Sequence, residues 1–271
     1  MRVLVATCQT LPEVDTDEAP VMTALAAAGY NAKLAAWDDP SVTWDAPVIL
    51  RSTWNYSLHL DAFLAWIDRI AVLWNPHAIV RWNVRKRYLL ELAARGVAVV
   101  PTTLVTPGQH ADVREKVVIK PEIGAGSLDA RVFSPGDPGI AEHVAHIHRR
   151  CAALVQPYVQ SVHDYGERSL IWIDGELTHA IRKTPRFSGD SEVVTGPFPI
   201  ADDERAVADA ALAPYKDQIL YGRVDLARDA ADRPMVMELE LVEPSLFFAR
   251  HSPALERFIA GLDRVLRFRR G

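Results

Sequence analysis

Cysteine is nearly absent: Cys8 and Cys151 are the two thiols in 271 residues. Two are too few for a disulfide framework and fit a reducing cytoplasm, where the protein is expected. Long apolar runs are missing as well, and none approaches the roughly 18 residues that a bilayer span requires. Met1–Thr7 carries one basic residue and lacks the longer apolar core of a signal peptide, so it reads as a buried strand. There is no excess of positive charge: 30 Lys+Arg stand against 35 Asp+Glu, for a formal charge of −5. A nucleic-acid footprint is therefore not expected, nor is a membrane partner. Internal repeats and low-complexity stretches are absent. So are the phosphate-loop pattern Gly-x-x-x-x-Gly-Lys-Ser/Thr and a dinucleotide fingerprint, which removes the two commonest nucleotide sites.

What remains is an ordinary globular composition, 49% hydrophobic and 24% charged, long enough to bury a sizeable core. Strand patterns at Arg2–Cys8, Ala32–Ala36 and Pro47–Leu50 alternate with helix patterns at Ala19–Gly29 and Leu58–Leu73. That alternation predicts a small α/β domain with a parallel sheet over residues 1–77. A helix is expected over Asn83–Arg95, capped by Gly96. Beyond it the pattern becomes α+β. Val99–Val105, Lys116–Lys120, Ala153–Pro157, Gly166–Ile173, Glu176–Lys183, Gln218–Arg228 and Pro234–Val242 read as strands. Helices are expected at Asp137–Arg150, Asp203–Ala213 and Pro253–Phe268.

The densest chemistry lies where Gln218–Arg228 and Pro234–Val242 flank the polar spacer Asp229–Arg233, a hairpin signal. With the loop centred near Ala231–Asp232, Asp225 falls opposite Glu238 and Arg223 opposite Glu240. Side chains alternate along strands, and directly opposed residues point the same way, so all four charged groups share one face. Three carboxylates this close call for a cation, and hard oxygen ligands suit Mg²⁺. The competing reading is a solvated, salt-bridged outer face; the apolar flanks of Val236–Val242 argue against it.

Other segments suggest an anion for that cation to serve. Lys120 ends the apolar strand Val117–Ile119, where an inward lysine needs an anionic partner such as phosphate. Gly124-Ala125-Gly126-Ser127 follows, and its backbone amides can cradle phosphates, although such loops are more often plain turns. Lys86, at the start of a helix, reads locally as a surface lysine. Asp174-Gly175 favours a type I′ turn between Gly166–Ile173 and Glu176–Lys183. A strict two-residue turn sets Glu167 opposite Arg182 and turns Lys183 away unless a bulge intervenes. His143, His146 and His148 lie in a polar helix and read as surface residues rather than zinc ligands. Cys8 shows no paired base and reads as a buried thiol.

In order and spacing these segments resemble the ATP-grasp ligases over the whole chain, closest to those of cycloserine biosynthesis, which close O-ureido-D-serine to D-cycloserine. The similar stretches are Val80–Asn83 with Lys86–Leu89, Gly96 to Pro101–Thr103, Val118–Pro121, Gln156–Val159, Gly166-Glu167 and His179–Ile181 with Lys183. The most specific are Gly222–Leu226 and Glu238–Leu241 with Glu243–Leu246. The resemblance implies an ATP-grasp fold behind an N-terminal Rossmann-like domain (1–77). The ATP-grasp region (78–271) would hold a lysine-strand subdomain at about 100–155 and a metal-hairpin subdomain at about 156–271. It implies ATP and Mg²⁺ as cofactors. Lys86 and Lys120 would contact phosphates, Gln156, Pro157, Tyr158 and Val159 would receive adenine, and Glu167 would hold the ribose. Lys183 would reach the terminal phosphate, Asp225, Glu238 and Glu240 would hold Mg²⁺, and Arg223 would stabilise the transferred phosphoryl group. Many family members carry Asn where Glu240 stands.

The implied reaction joins a carboxylate to a nitrogen nucleophile through an acyl phosphate, on a small amino-acid-like substrate. Arg51 or Arg182 could bind the substrate carboxylate, with Ser52, Thr53, Trp54, Glu243 and Ser245 nearby. Arg51–Tyr56 and Thr184–Asp190 depart from the cycloserine ligases, so the substrate is the least determined part. Gly124–Leu128 and Ser188–Gly196 are the expected closing segments. A nucleotide-binding sensor without ligase activity and a kinase are the competing readings. A homodimer is expected from base rates.

Overall fold

The computed structural model describes residues 1–184 and 193–267. The chain begins with a four-stranded parallel sheet. Its strands are β1 (Arg2–Thr7), β2 (Asn31–Ala36), β3 (Val48–Ser52) and β4 (Leu73–Trp74), in spatial order β2-β1-β3-β4. Helices α1 (Glu18–Ala27) and α2 (Leu60–Ile67) are the crossovers. Val3 to Ala6 and Val48 to Leu50 are fully buried, as strands covered on both faces must be.

The helix expected over Asn83–Arg95 is shorter, α4 (Tyr88–Ala94), and a separate helix, α3 (His77–Asn83), ends where it was expected to begin. Tertiary hydrogen bonds divide them. The Asn83 amide donates to the Leu239 carbonyl (2.8 Å) and accepts from the Leu241 N–H (2.6 Å), and the Lys86 N–H donates to the Glu122 carbonyl (2.8 Å).

A second, antiparallel sheet follows, built from β5 (Thr103–Val105), β6 (Val117–Pro121), β7 (Arg131–Phe133) and β8 (Ala153–Pro157), ordered β5-β8-β6-β7. Helix α5 (Gly139–His148) covers one face through Val144 and Ile147. After the short α6 (Gln160–Asp164) comes a five-stranded antiparallel sheet. It contains β9 (Glu167–Ile173), β10 (Glu176–Lys183), β11 (Val194–Phe198), β12 (Tyr221–Arg228) and β13 (Pro234–Glu240), ordered β11-β10-β9-β12-β13. Helix α7 (Asp202–Leu212) packs Ala208, Ala211 and Leu212 onto one face, over Leu170, Trp172, Val224 and Leu239. On the other face α8 (Ser252–Arg267) lays Ala254, Phe258 and Leu262, at helical spacing, against Ile171, Ile173, Tyr221 and the first sheet's Val3 and Val5.

The first and third sheets are tied by buried polar groups. The Tyr221 hydroxyl is 2.9 Å from the Leu50 and Trp74 carbonyls and 3.0 Å from that of Val242. The Asn75 amide reaches Tyr221 and Leu241 carbonyls, both at 2.8 Å. Among the described residues no helix is long and apolar enough to cross a membrane.

Candidate active site

Two bulges bring the charged residues of the third sheet onto one face. In the β12–β13 hairpin Arg223 pairs with Glu240 and Asp225 with Glu238, as the alternation predicts. The turn is centred on Ala231, however, with Arg228 opposite Pro234, and on that register Asp225 would meet Met237. One extra residue between Val236 and Glu238 restores the match. In the β9–β10 hairpin the turn is tight, with positive φ at both Asp174 and Gly175, as a type I′ turn requires. Thr178 is then the extra residue, and its hydroxyl donates to the Ile171 carbonyl (3.1 Å). The shift corrects the expected pairing: Lys183 stands opposite Glu167, and Arg182 stands opposite Arg168. Gly166 allows the close approach beside Glu167: its φ is +101°, and a Cβ there would lie 2.5 Å from the Lys183 carbonyl oxygen.

The resulting cluster is densely cross-paired. Lys183 Nζ lies 2.5 Å from Glu167 and 3.0 Å from Asp225. Arg223 grips Asp225 with Nε (2.8 Å) and a second nitrogen (2.9 Å), and also bonds Glu240. Lys86 Nζ reaches Glu238 at 2.9 Å and the Gly124 carbonyl at 2.6 Å. Burial would raise Asp225, but Arg223 and Lys183 outweigh it and hold its carboxyl far below the ordinary range. Burial pushes Glu167 up to about 8, against the pull of Lys183 and with Asp225 adding to the rise. Burial likewise lifts Glu240 to about 7, opposed by Arg223 and reinforced by Glu238. Burial pulls the Lys183 amine down, but Asp225 and Glu167 carry it above its ordinary value. Lys120 is pushed down by burial, which Glu238 only partly offsets.

These groups line a cavity of about 580 Å³ between the second and third sheets. Lys120 and Val118 project into it from β6, while Val117 and Ile119 face the core beneath. Of the residues singled out in the sequence, Lys86, Lys120, Gly124, Gly126, Ser127, Gln156, Pro157, Tyr158, Val159, Glu167, Lys183, Arg223, Asp225, Glu238 and Glu240 all line it. So do Trp54, Glu243 and Ser245. Within Gln156–Val159 the Tyr158 N–H is already bonded to the Lys116 carbonyl (2.8 Å). Positive φ at Gly126, Ser127 and Asp129 folds Gly124–Leu128 over the cavity. The other expected closing segment, Ser188–Gly196, falls in its first five residues outside the described residues.

Four candidates do not reach the cavity. Arg182, displaced by the Thr178 bulge, stacks on Tyr165 and Phe198 instead. Arg51 is 1% exposed on a central strand and is drawn inward to Asp17 at 3.2 Å. Ser52 bonds Thr7 at 2.9 Å and Thr53 is fully buried, both held within the first domain. Conversely, Thr10, Glu13, Tyr56, Asn83, Met237 and Phe247 line the cavity without having been singled out. Tyr56 was the most findable, two residues along the same turn from Trp54. Among the described residues no three His, Cys, Asp or Glu side chains converge closely enough to hold a metal ion by themselves. The helical histidines serve structure: His143 meets the Asp129 carbonyl and His148 that of Val105.

Three sheets in this order, enclosing a cavity with lysines on one side and a bulged acidic hairpin on the other, make the molecule an ATP-grasp ligase, an enzyme that couples ATP cleavage to C–N bond formation. The D-alanine–D-alanine ligase of Bacillus anthracis solved with ATP shares the fold (TM-score 0.63, 15% identity, 98% of this chain and 96% of that one). A profile described as the N-terminal domain of D-cycloserine synthetase DcsG matches residues 3–75. The cycloserine biosynthesis protein DcsG of Streptomyces lavendulae is 36% identical over 97% of this chain and 98% of its own length. The crystal structure of D-cycloserine synthetase DcsG superposes with a TM-score of 0.89 at 33% identity, covering 98% of this chain and all of that one. The chain belongs to the DcsG family of ATP-grasp ligases.

Proposed function

We propose that the cavity binds Mg²⁺-ATP and activates the carboxylate of a small amino acid as an acyl phosphate, which a nitrogen nucleophile then captures. The observation that carries this reading is the single face shared by Lys183, Glu167, Arg223, Asp225, Glu238 and Glu240, opposite Lys120. Lys86, Lys120 and Lys183 hold the phosphates. Gly124, Gly126 and Ser127 cover them, Gln156–Val159 border the adenine and Glu167 takes the ribose. Arg223 stabilises charge on the phosphoryl group in transfer.

The donor set suits Mg²⁺, which takes one or two carboxylates together with substrate phosphates and so needs no preformed three-carboxylate cage. Asp225, Glu238 and Glu240 are the residues to hold it. When bound, the ion neutralises charge between the phosphates. Each of these carboxylates now faces a lysine or arginine. Bound nucleotide would offer those cations its phosphates, which would leave Asp225, Glu238 and Glu240 free to hold the ion.

The relatives named for cycloserine biosynthesis support the finer assignment of an intramolecular closure of O-ureido-D-serine. The three sheets correspond to an N-terminal unit, a lysine-strand unit and a hairpin unit, acting in the cytoplasm. A homodimer is the assembly to look for by sedimentation.

The test is ADP release by the purified enzyme with O-ureido-D-serine, with and without Mg²⁺, alongside the double variant Asp225→Asn/Glu238→Gln. Metal-dependent turnover that the double variant loses supports the assignment. A double variant that still turns over ATP with every acid and amine tried sinks the metal set.

A further inference from the structure

The segment that leaves β13, Leu241–Phe248, runs along the cavity wall without belonging to any sheet. It is nonetheless held tightly. The Val242 carbonyl accepts the Tyr221 hydroxyl (3.0 Å), and the Glu243 carbonyl accepts the Trp54 indole N–H (3.3 Å). The Asp17 carboxylate accepts the N–H groups of Leu246 (2.6 Å), Phe247 (3.1 Å) and Phe248 (2.8 Å). Glu243 is therefore fixed from both sides before any substrate arrives.

Its side chain is 5% exposed and faces the cavity. Glu167, Asp225, Glu238 and Glu240 each have a lysine or arginine partner. Glu243 has no ion pair among the described residues, and burial raises its carboxyl to about 8. A buried carboxylate is tolerated when a cation pairs with it; Arg223 and Lys86 act on Glu243 only from a distance, and each is bonded to another carboxylate. Trp54, Tyr56 and Phe247 line the same cavity, with Trp54 touching the Glu243 backbone and Phe247 four residues on. Aromatic faces beside a carboxylate are the surroundings that favour an organic ammonium.

We infer that Glu243 is the recognition site for the substrate's ammonium group, so that this enzyme selects a free α-amino acid and rejects its deamino and N-acyl analogues. The inference rests on the proposed carboxylate activation, which occurs on the same wall. An α-amino acid carries both groups on one carbon. The wall offers it Arg223 and the metal hairpin for the carboxylate, and Glu243, three residues past Glu240, for the ammonium.

The experiment compares wild type, Glu243→Gln and Glu243→Asp with O-ureido-D-serine, its N-acetyl derivative and its deamino analogue. Wild type is expected to favour the amino acid over both analogues by at least about 100-fold in kcat/KM, because a buried polar group left unpaired penalises the wrong ligand. Glu243→Gln is expected to raise KM for the amino acid by about 30-fold or more and to erase the preference, with KM for ATP within about twofold of wild type. Glu243→Asp, which keeps the charge, retains a weakened preference and serves if the glutamine variant does not fold.

Loss of kcat with the preference intact overturns the inference, as does a glutamine variant that discriminates like wild type. Failure of the reaction assignment looks different: no ADP from any substrate in any variant. Calorimetry with a non-hydrolysable ATP analogue then decides the inference separately. Equal binding of the amino acid and its deamino analogue by wild type overturns it, and a preference that Glu243→Gln abolishes supports it.

Discussion

The β12–β13 hairpin and the segment Leu241–Phe248 are adjacent in sequence, line the same cavity, and are built on opposite plans. The hairpin is held by a strand ladder, and each of its carboxylates is matched by a cation of the fold. The following segment has no ladder and is held by side chains of the first domain, Asp17 and Trp54, with Tyr221 beneath. It presents Glu243, a carboxylate with no direct ion pair among the described residues, which Arg223 and Lys86 reach only at a distance. The contrast separates two tasks. The hairpin end neutralises its own charges, and on the proposed reading its cations would exchange carboxylate for phosphate when nucleotide binds. The acceptor end is preorganised from a distance and exchanges nothing, which suits a place where substrates are told apart.

The largest expected effect lies at the hairpin. Lys183→Met and Arg223→Met should each lower kcat by about 10²–10³-fold, the usual loss when a preorganised charge at a phosphoryl centre is removed. ADP release under saturating ATP reads this directly. Losses below tenfold would falsify the idea that these two cations act on the transferred group.

Next comes the clamp on the second region. Asp17→Ala leaves the Arg51 guanidinium buried without its carboxylate and strips three backbone N–H groups of their acceptor. Breaking such a buried pair costs about 3–5 kcal/mol, to be measured by urea unfolding. Asp17→Asn keeps an acceptor oxygen and should cost less. In the asparagine variant KM for ATP should stay near wild type while kcat/KM for the amino acid falls. An equal loss on both substrates would erase the distinction between the two ends.

The same contrast separates what could be read in the sequence from what could not. That Arg223, Asp225, Glu238 and Glu240 share a face was legible in the alternation, but their pairing depends on the extra residue Met237, since the turn alone would set Asp225 opposite it. The α/β start and the later strands follow from periodicity, and the resemblance supplied their arrangement. The strict-turn pairing of Glu167 with Arg182 fails because the bulge that the sequence reading left open is present: one extra residue, Thr178, leaves no mark on a hydrophobic pattern. Arg51 was misassigned because burial of an arginine depends on a partner elsewhere in the chain. That partner, Asp17, acts on backbone amides 229 to 231 residues away, where no spacing rule reaches. The helix expected from Asn83 starts only at Tyr88 for the same kind of reason: Asn83 is bonded to β13 and the residue after it, and Lys86 to the residue after β6.

A pH series sharpens the comparison without mutating the hairpin. Glu167 and Glu243 are raised to about 8 and Glu240 to about 7, chiefly by burial. A carboxyl whose folded pKa is raised binds its proton more tightly when folded. Its stabilisation is complete below the unfolded value near 4.5 and is lost as pH rises through the folded value. The ligand-free enzyme should therefore melt about 5 °C lower at pH 8.5 than at pH 6. Asp225, held low, contributes to stability through this window and loses its contribution only in strong acid. Glu243→Gln should flatten part of the slope, since the amide does not titrate. A slope that Glu243→Gln leaves unchanged would show that Glu243 does not titrate in this window.

The smallest effect tests the bulge that sets Lys183 in register. The Thr178 hydroxyl donates to the Ile171 carbonyl (3.1 Å), replacing a ladder bond that the extra residue removes, and it also contacts His179 Nδ1 (2.9 Å). Thr178→Val keeps the β-branched shape and deletes only the hydroxyl. The cost should be about 1 kcal/mol, one net hydrogen bond, visible as a small shift in the urea midpoint at unchanged slope. The register itself is also held by the type I′ turn at one end and the Lys183–Glu167 pair at the other. Turnover should therefore change far less than in Lys183→Met. If Thr178→Val instead loses as much activity as Lys183→Met while remaining folded, the hydroxyl alone decides which face Lys183 takes. The hairpin would then resemble the acceptor segment in depending on one side-chain bond rather than on its ladder.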